Sequence, residues 1–347
     1  MTPFISTYLF CLCAGPFKEY VDKNPLEGIP MSIFCRASLY EYLEIQSNEI
    51  FEITKQSIRY YEKFFGYKFP FSKYDYVFCP EYIFGAMENP GVITVNDKYI
   101  WRGDVSVDQR MWMGIILTHE LAHMWFGNLV TMNWWDDLWL NESFADFVCF
   151  YCLGACKLEP PMLDANLFWN KRKNWGYTAD QAPTTHPIAG EVPDTEAAQS
   201  IFDGITYSKG AATMKQLLVR LGFDVFAAAM KSYFHKYEWK NTVLQDLLDE
   251  MNAASIAHYG AEASKENPLV DIDLFLKEWI QTSGMNVVHP IWDIKSTKAE
   301  DKLTVIQDVC LKEHPTLRWH SLRIAFFNAQ GDVCEEQQIT LKNERET

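Results

Sequence analysis

Two histidines and a glutamate stand at a spacing that suits a metal-dependent hydrolytic centre. The run His119-Glu120-Leu121-Ala122-His123 places the histidines four positions apart. On an α-helix, residues i and i+4 lie on one face, so both imidazoles can bind one ion. Glu120 is rotated off that face and can act on a water molecule at an open coordination position. A shuffled chain of this composition would hold roughly 0.01 such matches, so two ordinary core histidines are the weaker interpretation.

A third ligand is needed, because a catalytic zinc ion uses three protein ligands and one water. Glu142 follows His123 after 18 intervening residues, near the start of the next predicted helix. Two antiparallel helices could bring it to the histidines. Two neutral imidazoles and one carboxylate leave zinc with a net charge of about +1, which favours a bound water with a pKa near about 7. Asp136 and Asp137 lie between the ligands. Either a hydrogen bond from one of them to a ligand histidine or a role as loop acids fits the sequence equally well.

Hydrophobic patterning predicts which elements position these residues. The predicted elements are short strands within 5–36, a helix over 45–65, strands at 75–80 and 91–96, a helix over 108–130, a helix from about 141, a loop-rich stretch over 157–200 and helices over about 208–281. Beyond Gly284 the composition is that of strands, at 302–309, 320–328 and 335–342. We therefore predict a domain boundary near residues 284–290.

Composition limits the class of protein. The chain has 347 residues, which favours two domains or one large domain with attachments. Hydrophobic residues make up 48% and charged residues 22%, as in globular proteins. The net charge of −15 argues against nucleic-acid binding, which needs lysine and arginine to displace counterions from phosphate. No apolar run approaches the roughly 18 residues of a membrane span.

Cysteine usage indicates the compartment. The nine cysteines are too few and too scattered for a disulfide framework, so we expect free thiols in a reducing environment. The opening residues are apolar but lack the basic start of a secretory signal. Both observations favour a cytoplasmic protein.

Four blocks of sequence, in order over about 120 residues, resemble one family. They are Gly85-Ala86-Met87-Glu88-Asn89, the run HELAHMWFGNLVTMNWWDDLWLNESFADF at 119–147, THPI at 185–188 and FDGITYSKGA at 202–211. In these blocks the chain closely resembles the gluzincin metalloaminopeptidases, the family of aminopeptidase N and puromycin-sensitive aminopeptidase. Ala86 favours the peptidases over the related leukotriene hydrolase, which has glycine there. Ser143 stands where the family more often has glycine, and we expect little consequence.

The resemblance implies an α+β fold built on a thermolysin-like zinc metallopeptidase domain that is mainly helical after a small β region. It implies that 1–36 end an N-terminal β domain, 37–287 form the catalytic domain and 288–347 begin an incomplete β-sandwich. The family's other domains have no counterpart here, so we expect a fragment, an incomplete gene model or a natural truncation. Faces that would pack on those domains predict self-association.

The resemblance also implies a role for each matching residue. The implied roles are zinc binding by His119, His123 and Glu142, general-base catalysis by Glu120, oxyanion stabilisation by Tyr207, capture of the substrate's α-amino group by Glu88, and contact with the peptide along Gly85, Ala86, Met87 and Asn89. The implied activity is hydrolysis of the N-terminal peptide bond by a zinc-bound water, with one zinc ion per chain and substrates that have a free N-terminus. The alternative is a truncated, non-catalytic relative that binds zinc or peptides.

Overall fold

The computed structural model describes residues 2–26, 28–158, 165–293, 302–342 and 345–346. The helices are α1 (Tyr40–Phe65), α2 (Val107–Ala122), α3 (Leu138–Ala155), α4 (Ala165–Asp180), α5 (Thr195–Ser200), α6 (Gly210–Leu221), α7 (Phe223–Tyr237), α8 (Leu244–Tyr259), α9 (Ala261–Glu266) and α10 (Ile272–Phe275). The strands are β1 (Phe17–Val21), β2 (Ser32–Arg36), β3 (Asp75–Cys79), β4 (Ala86–Met87), β5 (Val92–Asn96), β6 (Val130–Met132), β7 (Lys240–Thr242), β8 (Asn286–Asp293), β9 (Lys302–Val309), β10 (His320–Phe327), β11 (Val333–Leu341) and β12 (Arg345–Glu346). This mixture of helix and sheet confirms the α+β class.

A five-stranded sheet supports one edge of the site. Its strand order is β1-β2-β3-β5-β4, and β3 pairs in parallel with both β2 and β5. The middle residues of β3 and β5 are buried, as expected for parallel strands covered on both faces. The short strand β4 pairs antiparallel with β5 at the edge, with Ala86 opposite Val95. The segment 85–89 therefore lies at the open edge of the sheet.

Helix α2 begins where the sequence predicts and ends sooner. Ser106 and Gln109 form a capping box at its start. The helix ends at Ala122, and the chain then turns through Gly127, whose φ of +119° is open to glycine and unfavourable for other residues. The prediction of helix to residue 130 is wrong because the apolar run continues, buried, into the turn and into β6.

Helix α3 is the most buried helix of the described chain. From Leu138 to Phe150 every residue is buried, because α3 packs against α2 on one side and α6 on another. Most of its side chains are apolar, and the polar ones that are buried with them are Asn141, Glu142, Ser143 and Asp146. Phe144 stacks on Phe126 with ring centroids 4.3 Å apart, which joins α3 to the turn after α2.

Two other predictions differ from the structure. Residues 6–15 form a single 3-10 turn, Thr7–Leu9, and no strand. Two of their apolar side chains lack a covering layer, since Phe10 is 78% and Leu12 83% exposed, whereas Leu9 is buried. Within the stretch 157–200, predicted as loop-rich, the structure contains α4 and α5. The prolines near 160 and 183 flank α4 and do not interrupt it.

The C-terminal residues form strands, as predicted. Strands β8 and β9 pair antiparallel, and β10 and β11 form a hairpin. All nine cysteines have free thiols, as expected. No helix among the described residues combines the length and the apolar character that a membrane crossing requires.

Candidate metal centre and substrate cavity

Helices α2 and α3 bring the three predicted ligands to one point. Glu142 Oε2 lies 3.2 Å from His119 Nε2 and 3.6 Å from His123 Nε2, and the two Nε2 atoms are 3.1 Å apart. Zinc bonds of about 2.0–2.1 Å at tetrahedral angles would separate the ligand atoms by about 3.3 Å. The spacing of these three atoms therefore fits a single ion of that size.

The hydrogen bonds of His119 and His123 indicate which ring nitrogens carry the protons and which can bind a metal. His119 Nδ1 lies 3.3 Å from Asp146 Oδ1. His123 Nδ1 lies 2.9 Å from Asn141 Oδ1 and 3.1 Å from the carbonyl of Phe126. These acceptors hold the proton on each Nδ1, so each Nε2 presents a lone pair when its imidazole is neutral. Two lone pairs and a carboxylate repel each other at this distance unless a cation lies between them, so the donor set fits a divalent metal with a fourth position open.

Protons on the histidines can balance the negative charge of Glu142 in place of a metal ion. Burial raises the pKa of Glu142, but the hydrogen bonds from His119 and His123 outweigh it and hold that pKa well below its usual range. Burial lowers the pKa of His123, but the carboxylates of Glu88 and Glu142 raise it to about 9. Protons therefore compete with a metal for the Nε2 atoms.

Asp146 orients His119, and the sequence analysis missed it. Asp146 is 1% exposed and accepts hydrogen bonds from Arg172 Nε at 2.8 Å and Nη2 at 3.2 Å. Burial raises the pKa of Asp146, but Arg172 and His119 together lower it below its ordinary value. Asp146 follows Glu142 by one helical turn, which is a signal that could have identified it. Arg172 comes from α4, and no local pattern points to it.

Asp136 and Asp137 do not reach the ligand histidines. Asp136 Oδ1 accepts from the backbone N–H of Val192, and Asp137 Oδ2 accepts from that of Leu244 at 2.9 Å. Of the two alternatives left open by the sequence, the structure supports loop acids that fasten neighbouring segments.

Glu120 is a buried carboxyl beside the cluster, 7% exposed. Burial is the main reason that its pKa is raised to about 8, with Glu88 and Glu142 adding to the rise and the histidines opposing it. A carboxyl group with a pKa near neutrality exchanges protons readily. A bound divalent cation would lower this pKa and favour the ionised form.

Glu88 lies close to Glu120 and His123, with one carboxylate or ring atom of each within 4.8 Å of the others. Its Oε1 accepts from Tyr8 at 3.3 Å and from Asn141 Nδ2 at 3.4 Å, and its backbone carbonyl accepts from Asn128 at 2.7 Å. Neither side-chain bond uses Oε2, which keeps its lone pairs available for a cation. Asn141 thus connects Glu88 to His123 through the two ends of one amide.

Tyr207 sits on a π-helical turn, Ile205–Lys209. Asp203 Oδ1 accepts from two backbone N–H groups of this turn at 2.9 and 3.0 Å, and His186 contacts Asp203 Oδ2 at 3.1 Å. Ser143 on α3 donates to a carbonyl of the same turn. Single π turns are frequent at functional sites, and this one is held from both sides.

The ring of Tyr207 is enclosed by charged and aromatic groups. It stacks on Trp175 with centroids 5.5 Å apart, and the guanidinium of Arg172 lies 5.6 Å from it. The His119 ring is 6.2 Å away. Burial, followed by the charge of Glu142, raises the pKa of Tyr207 well above its usual value, so the phenol keeps its proton and can donate it.

A cavity of about 410 Å³ connects these groups. Predicted site residues that line it are Gly85, Ala86, Met87, Glu88, His119, Glu120, His123, Glu142 and Tyr207. Asn89 is not among its lining residues. Its side chain donates to the Leu9 carbonyl and accepts from Thr94, which fixes the loop behind Glu88. Aromatic residues that the sequence analysis did not single out, Phe84, Trp112, Trp175 and Phe202, form much of the remaining wall.

Comparisons with known proteins agree with this arrangement. The family description "Peptidase family M1 domain" matches residues 49–279. Aminopeptidase N of Streptomyces lividans is 36% identical over 337 residues, which cover 95% of this chain and 38% of that protein. Probable aminopeptidase 2 of Sulfurisphaera tokodaii is 34% identical over 83% of this chain and 34% of its own length. Aminopeptidase N of Mus musculus is 30% identical over 83% of this chain and 29% of its own length. The chain thus spans 38% or less of each of these relatives.

Proposed function

This chain belongs to peptidase family M1, and from that premise we propose that it carries the catalytic centre of a zinc aminopeptidase acting on peptides with a free N-terminus. One observation carries the proposal. Two imidazole nitrogens and a carboxylate oxygen converge within 3.6 Å of one another, in the same cavity as Glu120 and Glu88.

His119, His123 and Glu142 would hold the zinc ion. When bound, zinc would polarise the substrate carbonyl and lower the pKa of a water molecule. Asp146 and Asn141 keep each ligand ring in the tautomer and orientation that this requires.

Glu120 would move the proton. Its carboxylate accepts a proton from the attacking water and returns it to the leaving nitrogen. Tyr207 would donate a hydrogen bond to the oxyanion that develops on the carbonyl, which stabilises the transition state more than the substrate. Its raised pKa keeps that hydrogen in place across the neutral range.

Glu88 would select the free N-terminus. Its carboxylate is 5% exposed, so a substrate ammonium group that reaches it forms an ion pair with little screening by solvent. An acetylated N-terminus has no charge and would leave Glu88 without a cationic partner. The backbone of Gly85 and Ala86 would run beside the peptide at the edge of the sheet.

The test is hydrolysis of fluorogenic aminoacyl amides by the 347-residue chain, with and without a zinc chelator and with N-acetylated amides as controls. We expect cleavage of the free amines alone, abolished by the chelator and restored by zinc. Glu120→Gln should abolish cleavage and leave one zinc per chain by elemental analysis. The matched control is Glu196→Gln, which makes the same change at an exposed position.

Cleavage that survives Glu120→Gln would exclude the mechanism. One bound zinc per chain without cleavage would support the non-catalytic, zinc-binding alternative. Cleavage of acetylated and free substrates at equal rates would exclude the role given to Glu88.

A further inference from the structure

A second cavity, of about 580 Å³, lies between α4, α6 and strand β8. Its walls include Lys173, Gly176 and Tyr177, which occupy a different face of α4 from Arg172 and Trp175 at the metal centre. No step of the proposed peptidase mechanism uses it.

This cavity is cationic although the chain is acidic. Among the described residues its walls contain Lys173, Lys209, Lys215 and Arg318, against the single carboxylate of Asp180. That carboxylate is already paired, since Lys209 Nζ lies 2.9 Å from its Oδ1. The net charge of the chain is −15, so a locally positive cavity departs from the rest of the molecule.

Among the described residues, only Lys209 of the four cations is paired with a carboxylate. The guanidinium of Arg318 donates hydrogen bonds to Asn286, Thr282 and backbone carbonyls. Lys173 and Lys215, in contrast, contact only rings in the described part of the chain, with Nζ 5.4 Å from the centroids of Tyr177 and Trp169 respectively. Burial, and then repulsion by Lys173, lowers the pKa of Lys215.

Two neutral donors in the same walls also lack partners. Ser208 is 1% exposed, and its Oγ makes no hydrogen bond to any described residue. The same is true of Trp279 Nε1. A buried donor without an acceptor is unfavourable by about 1–3 kcal/mol, so both groups would be stabilised by an acceptor that reaches them from the cavity.

We propose that this cavity binds an organic oxyanion, a carboxylate or phosphate attached to an apolar body. The ammonium groups of Lys173 and Lys215 supply the charge, and Ser208 and Trp279 supply neutral hydrogen-bond donors. The rings of Trp169 and Tyr177 supply the apolar walls. The volume falls within the range of about 300–1,000 Å³ typical of small-molecule sites and is far larger than an inorganic anion needs.

Isothermal titration calorimetry on the 347-residue chain tests this proposal with three probes: 3-phenylpropanoate, phenyl phosphate and the uncharged 3-phenylpropan-1-ol. We expect one molecule of either anion to bind per chain and the alcohol to bind at least about tenfold more weakly. Lys173→Gln and Lys215→Gln should each weaken anion binding by roughly fivefold, the effect of losing one half-buried charge.

Lys171→Gln is the matched control. It removes the same charge from the same helix, but Lys171 lies near Asp108 and does not line the cavity. Binding of the anions that falls with Lys173→Gln and Lys215→Gln and not with Lys171→Gln supports the site. Binding of the alcohol as tight as that of the anions, or equal weakening by all three variants, would overturn it. So would the absence of binding heat at an anion concentration of roughly ten times a 1 mM dissociation constant.

Discussion

Removal of the Arg172 guanidinium should lower the free energy of unfolding of this chain strongly. Arg172 makes two hydrogen bonds to Asp146, at 2.8 and 3.2 Å, and the side chains are 19% and 1% exposed. Two charge-assisted bonds at about 1.5–3 kcal/mol each give about 3–6 kcal/mol. Breaking one partner of a buried ion pair costs about 3–5 kcal/mol by an independent route. We therefore expect Arg172→Met to lower the free energy of unfolding by about 3–5 kcal/mol.

This loss arises from the Asp146 carboxylate that is left buried without its cation, and a second variant isolates that contribution. In Arg172→Met/Asp146→Asn the buried charge is gone, and the amide oxygen can still accept from His119 Nδ1. The double variant should therefore be more stable than Arg172→Met alone by about 1–2 kcal/mol. Lys171→Met is the control, because the 3.1 Å contact of Lys171 with Asp108 is between side chains that are each 57% exposed.

The assay is urea unfolding at neutral pH, followed by tryptophan fluorescence, with a chelator present so that metal binding does not add to stability. A loss below about 1 kcal/mol for Arg172→Met would mean that the pair behaves like an exposed one. A double variant less stable than the single one would refute the assignment to an unpaired buried charge.

Three further predictions concern the same site. Gly127→Ala should weaken zinc binding by about 10–100-fold in a chelator competition assay. The new Cβ would lie 2.5 Å from Asn141 Oδ1, at a residue with a φ of +119°, and would displace the hydrogen-bond partner of His123. An unchanged affinity for zinc would contradict this. Zinc at a hundred times its dissociation constant should add about 2.7 kcal/mol of stability, seen as a thermal shift that His123→Ala removes; an equal shift in both proteins would indicate binding elsewhere. The hydrogen bond to Asp203 raises the pKa of His186 despite its burial. The stabilisation from this pair is therefore complete below the unfolded pKa of about 6.5 and is lost as the pH rises through the folded pKa. His186→Gln should remove that part of the pH dependence of the urea midpoint, and identical pH profiles of the two proteins would refute this.

Local spacing was enough to predict that the two histidines of the proposed metal site converge, because helical geometry fixes which residues share a face. His119 and His123 are one turn apart, so their convergence needed only the helix itself. Glu142 required a second helix to pack against α2, and α3 does so. Arg172 could not be inferred in this way, since its approach to Asp146 depends on how α4 crosses the core.

The incorrect element boundaries have a common physical cause. The end of α2 was missed because residues 120–130 are all buried, so the apolar pattern carries no period that distinguishes helix from turn. Helix α4 was missed because the prolines around it weighed more in composition than the pattern between them. The strand expected at 6–15 has suitable residues but no neighbouring strand in the described structure to pair with.

The amide of Asn141 joins the proposed metal site to the proposed amine-binding residue Glu88. Its oxygen accepts from His123 and its nitrogen donates to Glu88, so one planar group cannot move at one end without moving at the other. In the proposed enzyme, an ammonium ion that draws Glu88 toward the cavity would therefore change the affinity for the metal. By linkage, the metal would change the affinity for the ammonium ion by the same factor. Metal-loaded and metal-free protein should thus differ in amine recognition even before any bond is broken.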